Sequence, residues 1–352
     1  MSHCNLALLG FGNVGQALAR LLMRKQVDLL SQYNLTFSVT GIYTARHGAA
    51  INHDGLDLEV ALQAMQRKSS SGNHGKSPAR LDDLSLQPAP HEAIPFIRNS
   101  GADVLFENTP VNYETGQPAV DHLRTALEMG MHAITANKGP VVHAYRELTE
   151  LAQAKGLKFY FESAVMDGAP IFSLFRETLP GAKLLALHGV LNSTTNLILT
   201  RMEGGETFRD AVAYAQSIGI AETDPSGDID GWDAAVKVAA LVTVLMDFPL
   251  KPAQIERQGI REITPQAIQQ ARAEGKRWKL VCSAERQGKG VKARVSPEMV
   301  APSSPLYFVD NTTSVVQFKT DVLGLLSVTE TDPGPDTTAY GLLADFLNAV
   351  RH

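Results

Sequence analysis

The first part of the chain alternates short apolar runs with longer segments whose apolar residues recur at helical spacing. The runs predict strands and the segments predict helices. Strands that are separated by helices indicate a parallel sheet, so the sequence predicts an α/β fold with an N-terminal sheet of the Rossmann type. The predicted strands are residues 6–9, 36–43, 103–107, 132–135 and 159–162, and the predicted helices are residues 16–30, 59–67, 118–129 and 142–155.

The pattern changes after residue 162, where a second α+β domain is predicted. It has a helix from Pro170, a strand at 184–191, three helical stretches up to residue 246 and strand-like runs at 278–284, 291–295 and 315–318. Residues 337–350 form an amphipathic helix that is expected to return to the first domain. The predicted domain divisions are residues 1–140, 141–330 and 331–352. The stretch 69–90 is rich in Ser, Gly, Pro and Asn, which predicts a mobile surface insertion.

Composition narrows the class of protein. The net charge of −5 argues against nucleic acid as the main partner. Two cysteines, Cys4 and Cys282, leave no disulfide framework and fit a reducing compartment. The N-terminus lacks the pattern of a secretory signal, and no apolar stretch reaches the ~18 residues of a membrane span, so a cytoplasmic location is expected.

A glycine turn follows the first predicted strand and reads Gly10-Phe11-Gly12-Asn13-Val14-Gly15. The first glycine of this spacing permits a tight turn, the second lets the backbone approach a pyrophosphate, and the third lets helix and strand pack closely. The helix N-terminus then faces the phosphate charge. The motif predicts a dinucleotide site, and its alternative is a glycine turn that binds nothing.

The end of the second strand distinguishes the two nicotinamide cofactors. An acidic residue there would accept hydrogen bonds from the ribose of NAD, whereas this chain has Thr44 and Arg46. A guanidinium suits a 2′-phosphate, so we expect NADP(H), with NAD(H) as the alternative. An arginine that only faces solvent would explain the same residues.

A cluster of acidic residues ends in a lysine on a strongly apolar helix. A calcium loop would need a glutamate where Lys237 stands, so that interpretation fails. An exposed ion pair between Asp233 and Lys237 would be weak. Because the helix is apolar on almost every face, we expect the pair to be buried in a site where it takes part in proton transfer.

This stretch resembles the signature of homoserine dehydrogenase, which is matched at Ala215, Gly219, Asp224, Pro225, Asp228, Gly231, Asp233 and Lys237. Three further motifs agree, at residues 135–140, 162–170 and 192–196, and the resemblance covers about residues 6–350. It implies hydride transfer between homoserine and aspartate 4-semialdehyde, in a short form without a C-terminal amino-acid-sensing domain. The resemblance implies that residues 1–140 form a dinucleotide-binding domain and residues 141–330 a substrate and dimerisation domain. Residues 331–352 would form a helix that packs on the dinucleotide-binding domain.

The resemblance also implies roles for individual residues. Lys237 and Lys138 are the candidates that carry the reacting proton, and Asp233 would orient the ammonium or polarise a bound water. Substrate binding is expected from Glu222, Asp228 and Thr194. The motif at residues 192–196, which contains Thr194, would also be explained by an asparagine that caps the start of a helix. Cofactor contacts are expected from Gly10, Gly12, Asn13, Val14, Gly15, Thr44, Arg46, Asn108, Thr109, Lys138 and Gly334.

Relatives carry a monovalent-cation site, matched here by Glu162 and the backbone carbonyls of Val165, Asp167 and Ala169, so Na⁺ or K⁺ is expected. Met166 and Asp167 depart from the small residues that are usual there. A homodimer through the second domain is also expected. The alternatives are a dehydrogenase of a related amino alcohol and a non-catalytic NADP-binding protein. A thioester-forming dehydrogenase is disfavoured because neither cysteine is well placed.

Overall fold

The computed structural model describes residues 1–66 and 80–351. The chain divides into two units, Met1–Gly168 with Gly334–His352, and Ala169–Pro333. Along the chain to Gly168 the elements are β1 (Ser2–Leu9), α1 (Asn13–Tyr33), β2 (Leu35–Thr44), β3 (Gly48–Ile51), α2 (Leu58–Gln66), a 3-10 turn (Leu81–Leu84), α3 (Ala93–Asn99), β4 (Val104–Glu107), α4 (Ala119–Glu128), β5 (His132–Thr135), α5 (Lys138–His143), α6 (Tyr145–Ala154), β6 (Phe159–Tyr160) and a 3-10 turn (Glu162–Ala164).

The later elements begin with a π-helical turn where the sequence predicts a helix from Pro170. From there the chain forms Leu174–Thr178 (the π turn), β7 (Leu184–Val190), α7 (Ser193–Glu203), α8 (Phe208–Ser217), α9 (Ser226–Ile229), α10 (Trp232–Leu245), a 3-10 turn (Pro252–Gln254), β8 (Glu256–Arg257), α11 (Pro265–Ala273), β9 (Arg277–Gln287), β10 (Gly290–Val300), a 3-10 turn (Pro305–Phe308), β11 (Ser314–Thr320), β12 (Gly324–Glu330) and α12 (Pro335–Val350).

The sheet of the first unit has the strand order β3-β2-β1-β4-β5-β6. Its strands are parallel except β3, which pairs antiparallel with β2, and this confirms the predicted parallel sheet. Apolar side chains of α12, among them Leu342 and Phe346, share one core with Leu6 and Leu8 of β1. The carboxyl ends of β1, β4 and β5 therefore meet at one edge of a sheet that is covered by helices.

Two features of this unit differ from the sequence prediction. The boundary expected at residue 140 lies after Gly168, because β6 pairs with β5 and continues the first sheet. The helix predicted at 142–155 is interrupted at Ala144, whose backbone leaves the helical region and separates α5 from α6.

The predicted insertion at 69–90 falls partly outside the described residues, which omit 67–79. Its remaining part is attached to β3 instead of being loose. Leu81 is buried, the Asp82 carboxylate accepts a hydrogen bond from the backbone of Ala49 at 2.9 Å, and Ser85 accepts one from Ile51 at 2.8 Å. Side-chain oxygens thus satisfy backbone donors of this edge strand, which the composition of the segment did not indicate.

The sheet of the second unit has the order β12-β11-β7-β9-β10-β8 and is antiparallel except between β8 and β10. The predicted strands near 278–284 and 291–295 are the two arms of one long hairpin. The sequence prediction missed β12 and α11. Among the described residues, no helix is long and apolar enough to cross a membrane.

Candidate active site

The glycine turn has the shape that a dinucleotide requires. Gly10 has φ +98°, and a Cβ there would lie 2.5 Å from the carbonyl oxygen of Asn108. A Cβ at Gly15 would overlap the carbonyl oxygen of Gly10, whereas one at Gly12 would meet nothing within 4 Å. The first turn of α1, which begins at Asn13 and Val14, contains no acidic residue. Open space therefore adjoins a helix N-terminus without a competing carboxylate, which fits a pyrophosphate.

Asn108 supplies a second test of the dinucleotide site. Its backbone N–H donates to Leu9 at 2.8 Å, so the residue is attached to the end of β1 beside the glycine turn. Both polar atoms of its carboxamide are buried and have no hydrogen-bond partner in the described part of the chain. Buried polar atoms are rarely left in that state, and an amide-bearing ring would satisfy both the donor and the acceptor.

The turn after β2 presents Arg46. Thr44 uses its hydroxyl within the turn, where it donates to the carbonyl of Gly48 at 3.1 Å and accepts from the backbone of His47 at 2.7 Å. Arg46 is exposed in the same turn. The Asp82 carboxylate also lies here, because a Cβ at Gly48 would overlap it. Sequence reasoning missed this acid, since it comes from a segment far along the chain.

Lys138 begins α5 directly after β5. Asn137 caps this helix, since its Oδ1 accepts the backbone N–H of Gly139 at 3.0 Å. The Nδ2 of Asn137 donates to the carbonyl of Thr109 at 3.2 Å. This bond joins the turn after β4, which carries Asn108 and Thr109, to the turn that precedes the half-buried Lys138. Beneath them lies Glu107, a fully buried acid that the sequence analysis did not identify.

In the second unit, α10 carries the predicted lysine and aspartate. The Nζ of Lys237 lies 3.1 Å from Oδ2 of Asp233, and it donates to the carbonyl of Leu191 at 2.7 Å. The side chains of Lys237 and Asp233 are 15% and 10% exposed. The expected burial of this pair is confirmed, and a weak surface ion pair is excluded.

Asn192 connects this pair to a second carboxylate. Its Nδ2 donates to Oδ1 of Asp228 at 2.7 Å and to Oδ2 of Asp233 at 3.0 Å, while its Oδ1 caps α7 by accepting from Thr195 at 2.8 Å. Burial, and then the negative charge of Asp233, raise the pKa of Asp228 above its ordinary value, while its hydrogen bond from Asn192 acts in the opposite direction. The capped helix start was expected, but the link between the two carboxylates was not.

The remaining predicted substrate residues lie differently. Thr194 is buried in the first turn of α7, with its hydroxyl 3.3 Å from the carbonyl of Ile220. Glu222 is exposed, and its backbone carbonyl accepts a hydrogen bond from the side-chain amide of Gln216 at 3.0 Å. The described contacts do not join the Glu222 carboxylate to Asp228 and Asp233.

The predicted cation segment turns sharply in the first unit. Asp167 has φ +38°, and its Oδ2 accepts the hydroxyl of Thr337 at 3.0 Å. Glu162 is buried, with its backbone N–H donating to Asp345 at 2.6 Å. The carboxylate that departs from the family pattern is therefore bound to the start of α12. Of the other expected residues, Val165 is buried, Ala169 begins the second unit, and Gly334 donates from its N–H to Thr337 at 2.9 Å.

No group of three or more His, Cys, Asp or Glu side chains suited to a metal occurs in the residues that the structure describes. The predicted site depends on one carboxylate and on backbone carbonyls, so this finding does not bear on it.

Comparison with known proteins covers both units. The family model described as homoserine dehydrogenase matches residues 170–347, and the model of its NAD binding domain matches residues 10–162. The chain is 37% identical over 345 residues to homoserine dehydrogenase of Methanocaldococcus jannaschii, covering 98% of each protein. It is 34% identical to the NAD(+)-dependent homoserine dehydrogenase of Pseudomonas canavaninivorans, covering 99% of this chain and 96% of that protein.

Among solved structures, a homoserine dehydrogenase from Thiobacillus denitrificans superimposes with a TM-score of 0.82 at 28% identity. The match covers 100% of this chain and 74% of that one. Because the family models and the full-length relatives agree, the chain belongs to the homoserine dehydrogenase family of NAD(P)-dependent oxidoreductases that act on a CH–OH group.

Proposed function

We propose that this homoserine dehydrogenase transfers hydride between L-homoserine and L-aspartate 4-semialdehyde with NADP(H), using Lys237 and Asp233 for the reacting proton. The observation that carries the proposal is the buried pair on α10, where Nζ and Oδ2 are 3.1 Å apart. A charge pair in an apolar helix is costly unless it does chemistry or meets a polar ligand.

The proton step belongs to the residues of the second unit. When bound, the nicotinamide accepts or supplies the hydride. The Nζ of Lys237 exchanges the proton of the substrate hydroxyl as the C–O bond order changes. Asp233 and the carbonyl of Leu191 hold Nζ from two sides. These two contacts direct its remaining position, which carries a hydrogen in the ammonium and the lone pair in the neutral amine, toward the substrate.

The amino-acid end of the substrate requires an acceptor for its α-ammonium. Asp228 is proposed for this role, because its carboxylate lies beside the pair, where Oδ1 accepts the hydrogen bond from Asn192 at 2.7 Å. Thr194 offers a hydroxyl on the neighbouring helix. Glu222 remains a candidate that contacts substrate from an exposed loop.

In the first unit, we assign Lys138 to the edge where the nicotinamide would lie and Asn108 to its carboxamide. The residues that would hold the pyrophosphate are the glycines of the turn with Asn13 and Val14, and Thr109 and Gly334 are proposed as further contacts. Lys138 is also the second candidate for the reacting proton. Its position at the first turn of α5 supports either role.

Preference for NADP(H) is supported by Arg46, an exposed guanidinium at the end of β2 in a turn whose sequence contains no acid. Two observations favour NAD(H) as the alternative. Asp82 lies beside Gly48 in this turn, and the relative from Pseudomonas canavaninivorans carries NAD(+) in its name. Asp82 is bound to the backbone of Ala49 and lies 3.2 Å from Arg80, so its charge already has partners.

Two further expectations are proposals of the same kind. Na⁺ or K⁺ would be held by Glu162 with the carbonyls of Val165, Asp167 and Ala169. A homodimer would cover the edge strand β12, where Leu325 is 61% exposed, and the turn before it, where Leu323 is 54% exposed. Light scattering that gives the mass of a single chain at micromolar concentration would contradict the dimer.

The test of function is a steady-state assay of NADPH oxidation with L-aspartate 4-semialdehyde, compared with NADH. We expect turnover with this substrate and a higher kcat/KM for NADPH. Turnover of a different amino aldehyde at a higher kcat/KM would favour the related amino-alcohol dehydrogenase, and absence of turnover with bound dinucleotide would favour a non-catalytic NADP-binding protein.

A further inference from the structure

A buried carboxylate lies beneath the edge of the sheet that carries Asn108 and Lys138. Glu107 is the last residue of β4 and is 0% exposed. His122 of α4 is also buried, with its Nδ1 3.4 Å from Oε1 of Glu107. Taking a carboxylate out of water is unfavourable unless several donors surround it, so its place here requires an explanation.

The donors around Glu107 come from the two turns of the candidate site. Oε1 accepts the backbone N–H of Thr109 at 3.2 Å and also the hydroxyl of Thr109. The hydroxyl of Thr135 lies 3.0 Å from Oε2 and 2.7 Å from the main-chain oxygen of the same glutamate. Both carboxylate oxygens are therefore used, one toward each turn.

Asn137 closes these bonds into a ring. Its backbone N–H donates to Oγ1 of Thr135 at 2.9 Å, and its Nδ2 donates to the carbonyl of Thr109 at 3.2 Å. The ring is defined by Glu107, Thr109, Asn137 and Thr135. Glu107 and Thr109 belong to β4 and the turn after it, and Thr135 and Asn137 belong to β5 and the turn after it, so two of the ring's bonds join the two turns.

The ring lies where strand pairing ends. Glu107 and Thr135 are the last paired residues of β4 and β5, and beyond them no backbone ladder joins the two turns. Side chains take over this function at the point where Asn108 and Lys138 leave the sheet. A glutamine at position 107 would offer one acceptor oxygen in place of two and could not hold both turns in the same way.

We propose that Glu107, acting through Thr135 and Asn137, is a positioning residue that sets the placement of Lys138 relative to Asn108 and so the alignment of the nicotinamide for hydride transfer. This inference rests on the proposed function, which assigns those two residues to the cofactor edge. Small displacements of a reacting group are costly in rate, because hydride transfer depends on near-contact geometry.

The test compares Thr135→Val with Thr135→Ser in the full-length enzyme. Valine removes the hydroxyl that joins Glu107 to Asn137, and serine restores it. We expect Thr135→Val and Glu107→Gln to lower kcat by about 10-fold to 100-fold, and Thr135→Ser to keep the wild-type value. The matched control is Ser100→Ala, which removes a fully buried hydroxyl bonded to Ile97 at 2.9 Å in the same unit, away from the site.

Stability and turnover separate positioning from simple structural support. Ser100→Ala should lower Tm and leave kcat unchanged, whereas Thr135→Val should lower kcat when measured well below its Tm. If Thr135→Val lowers Tm as the control does and keeps wild-type kcat, the positioning role is overturned. The same conclusion follows if serine fails to restore the activity that valine removes.

A double variant separates this proposal from the one on which it rests. If Glu107 acts through Lys138, Thr135→Val combined with Lys138→Ala should be no slower than Lys138→Ala alone. Losses that multiply would overturn the link. Wild-type turnover in Lys138→Ala would overturn the assignment of Lys138 to the cofactor edge together with the positioning role, and would leave the proposed function of the Lys237–Asp233 pair intact. An inactive Lys138→Ala with a fully active Thr135→Val would overturn only the positioning role of Glu107.

Discussion

Each unit places an asparagine before a helix at its candidate site, and the two asparagines have different partners. Asn137 caps α5 and donates its amide to the neutral carbonyl of Thr109. Asn192 caps α7 and donates its amide to two carboxylates, Asp228 and Asp233. The same capping geometry thus serves a neutral scaffold in one unit and a charged cluster in the other.

The difference shows how each unit handles buried charge. In the first unit, the Glu107 carboxylate accepts hydrogen bonds from the backbone N–H of Thr109 and the hydroxyl of Thr135, and so joins the ends of β4 and β5. In the second unit, Asp233 is paired with the ammonium of Lys237, and Asp228 retains a raised pKa through burial and its acidic neighbour. The described contacts close the first arrangement into a ring and leave the second open, which is why we propose a positioning role for Glu107 and a chemical role for the pair of Lys237 and Asp233.

The largest effect is expected from Lys237→Ala. It should lower kcat by about 10²-fold to 10⁴-fold, the range for loss of a general acid–base group, and leave dinucleotide affinity unchanged because the residue belongs to the second unit. Steady-state kinetics and a dinucleotide titration measure the two quantities, with folding checked by circular dichroism. Near-wild-type turnover would end the assignment, and an equally large loss only in Lys138→Ala would move the proton step to the first unit.

Arg46→Ala tests whether dinucleotide choice belongs to the first unit alone. A charge-assisted hydrogen bond to a 2′-phosphate contributes about 1.5–3 kcal/mol, so kcat/KM for NADPH should fall by roughly 10-fold to 100-fold. The value for NADH should be unchanged. A wild-type preference for NADH, or an unaltered ratio in the variant, would favour the NAD(H) alternative.

Asn192→Ser sharpens the comparison through pH. Serine keeps the helix cap but removes the hydrogen bond that the Asn192 amide donates to Asp228. Because this hydrogen bond lowers the pKa of Asp228, the pKa should rise further in the variant. Since the ionised carboxylate is proposed to hold the substrate ammonium, the acid-side loss of kcat/KM should begin at a higher pH than in the wild type. A pH profile that is unchanged or displaced to lower pH would contradict the role of Asp228.

Asn137→Ser is the matched variant in the first unit and should have the smallest effect on the pH dependence of activity. It keeps the cap on α5 and removes one neutral hydrogen bond, which contributes about 0.5–1.5 kcal/mol to stability. Urea unfolding measures this loss. The pH at which activity is lost should stay at its wild-type value, because Asn137 donates to a carbonyl that does not titrate; a displaced pH profile would break the contrast between the two units.

Periodicity and motif spacing predicted the parallel sheet, the glycine turn and the buried pair on α10, because each depends on residues that are close in sequence. The features that were missed depend on distant residues. Asp82 reaches β3 from a segment whose composition is typical of loops, and His122 meets Glu107 across 15 positions. The bridge from Asn192 to Asp233 spans 41 positions, so a capping signal at α7 could not reveal it.

Some errors have local causes. The helix predicted at 142–155 has an unbroken apolar period, but Ala144 adopts a non-helical conformation between α5 and α6. Strand β12 was missed because its side chains are mostly exposed, which weakens the alternation that predicts a strand. The extra carboxylate at Asp167 was noticed in the sequence, yet its bond to Thr337 requires the return of α12.

The return of α12 has a consequence for the order in which the chain acquires structure. The core of the first unit includes Phe346, whose ring lies edge-on to Phe106 with 6.1 Å between centroids. The first unit therefore remains incomplete during synthesis until α12 has left the ribosome, whereas all residues of the second unit are available once Pro333 has left it. The nucleotide-binding unit begins first and finishes last, so a nascent chain stalled before α12 would leave the apolar side chains that pack against this helix exposed.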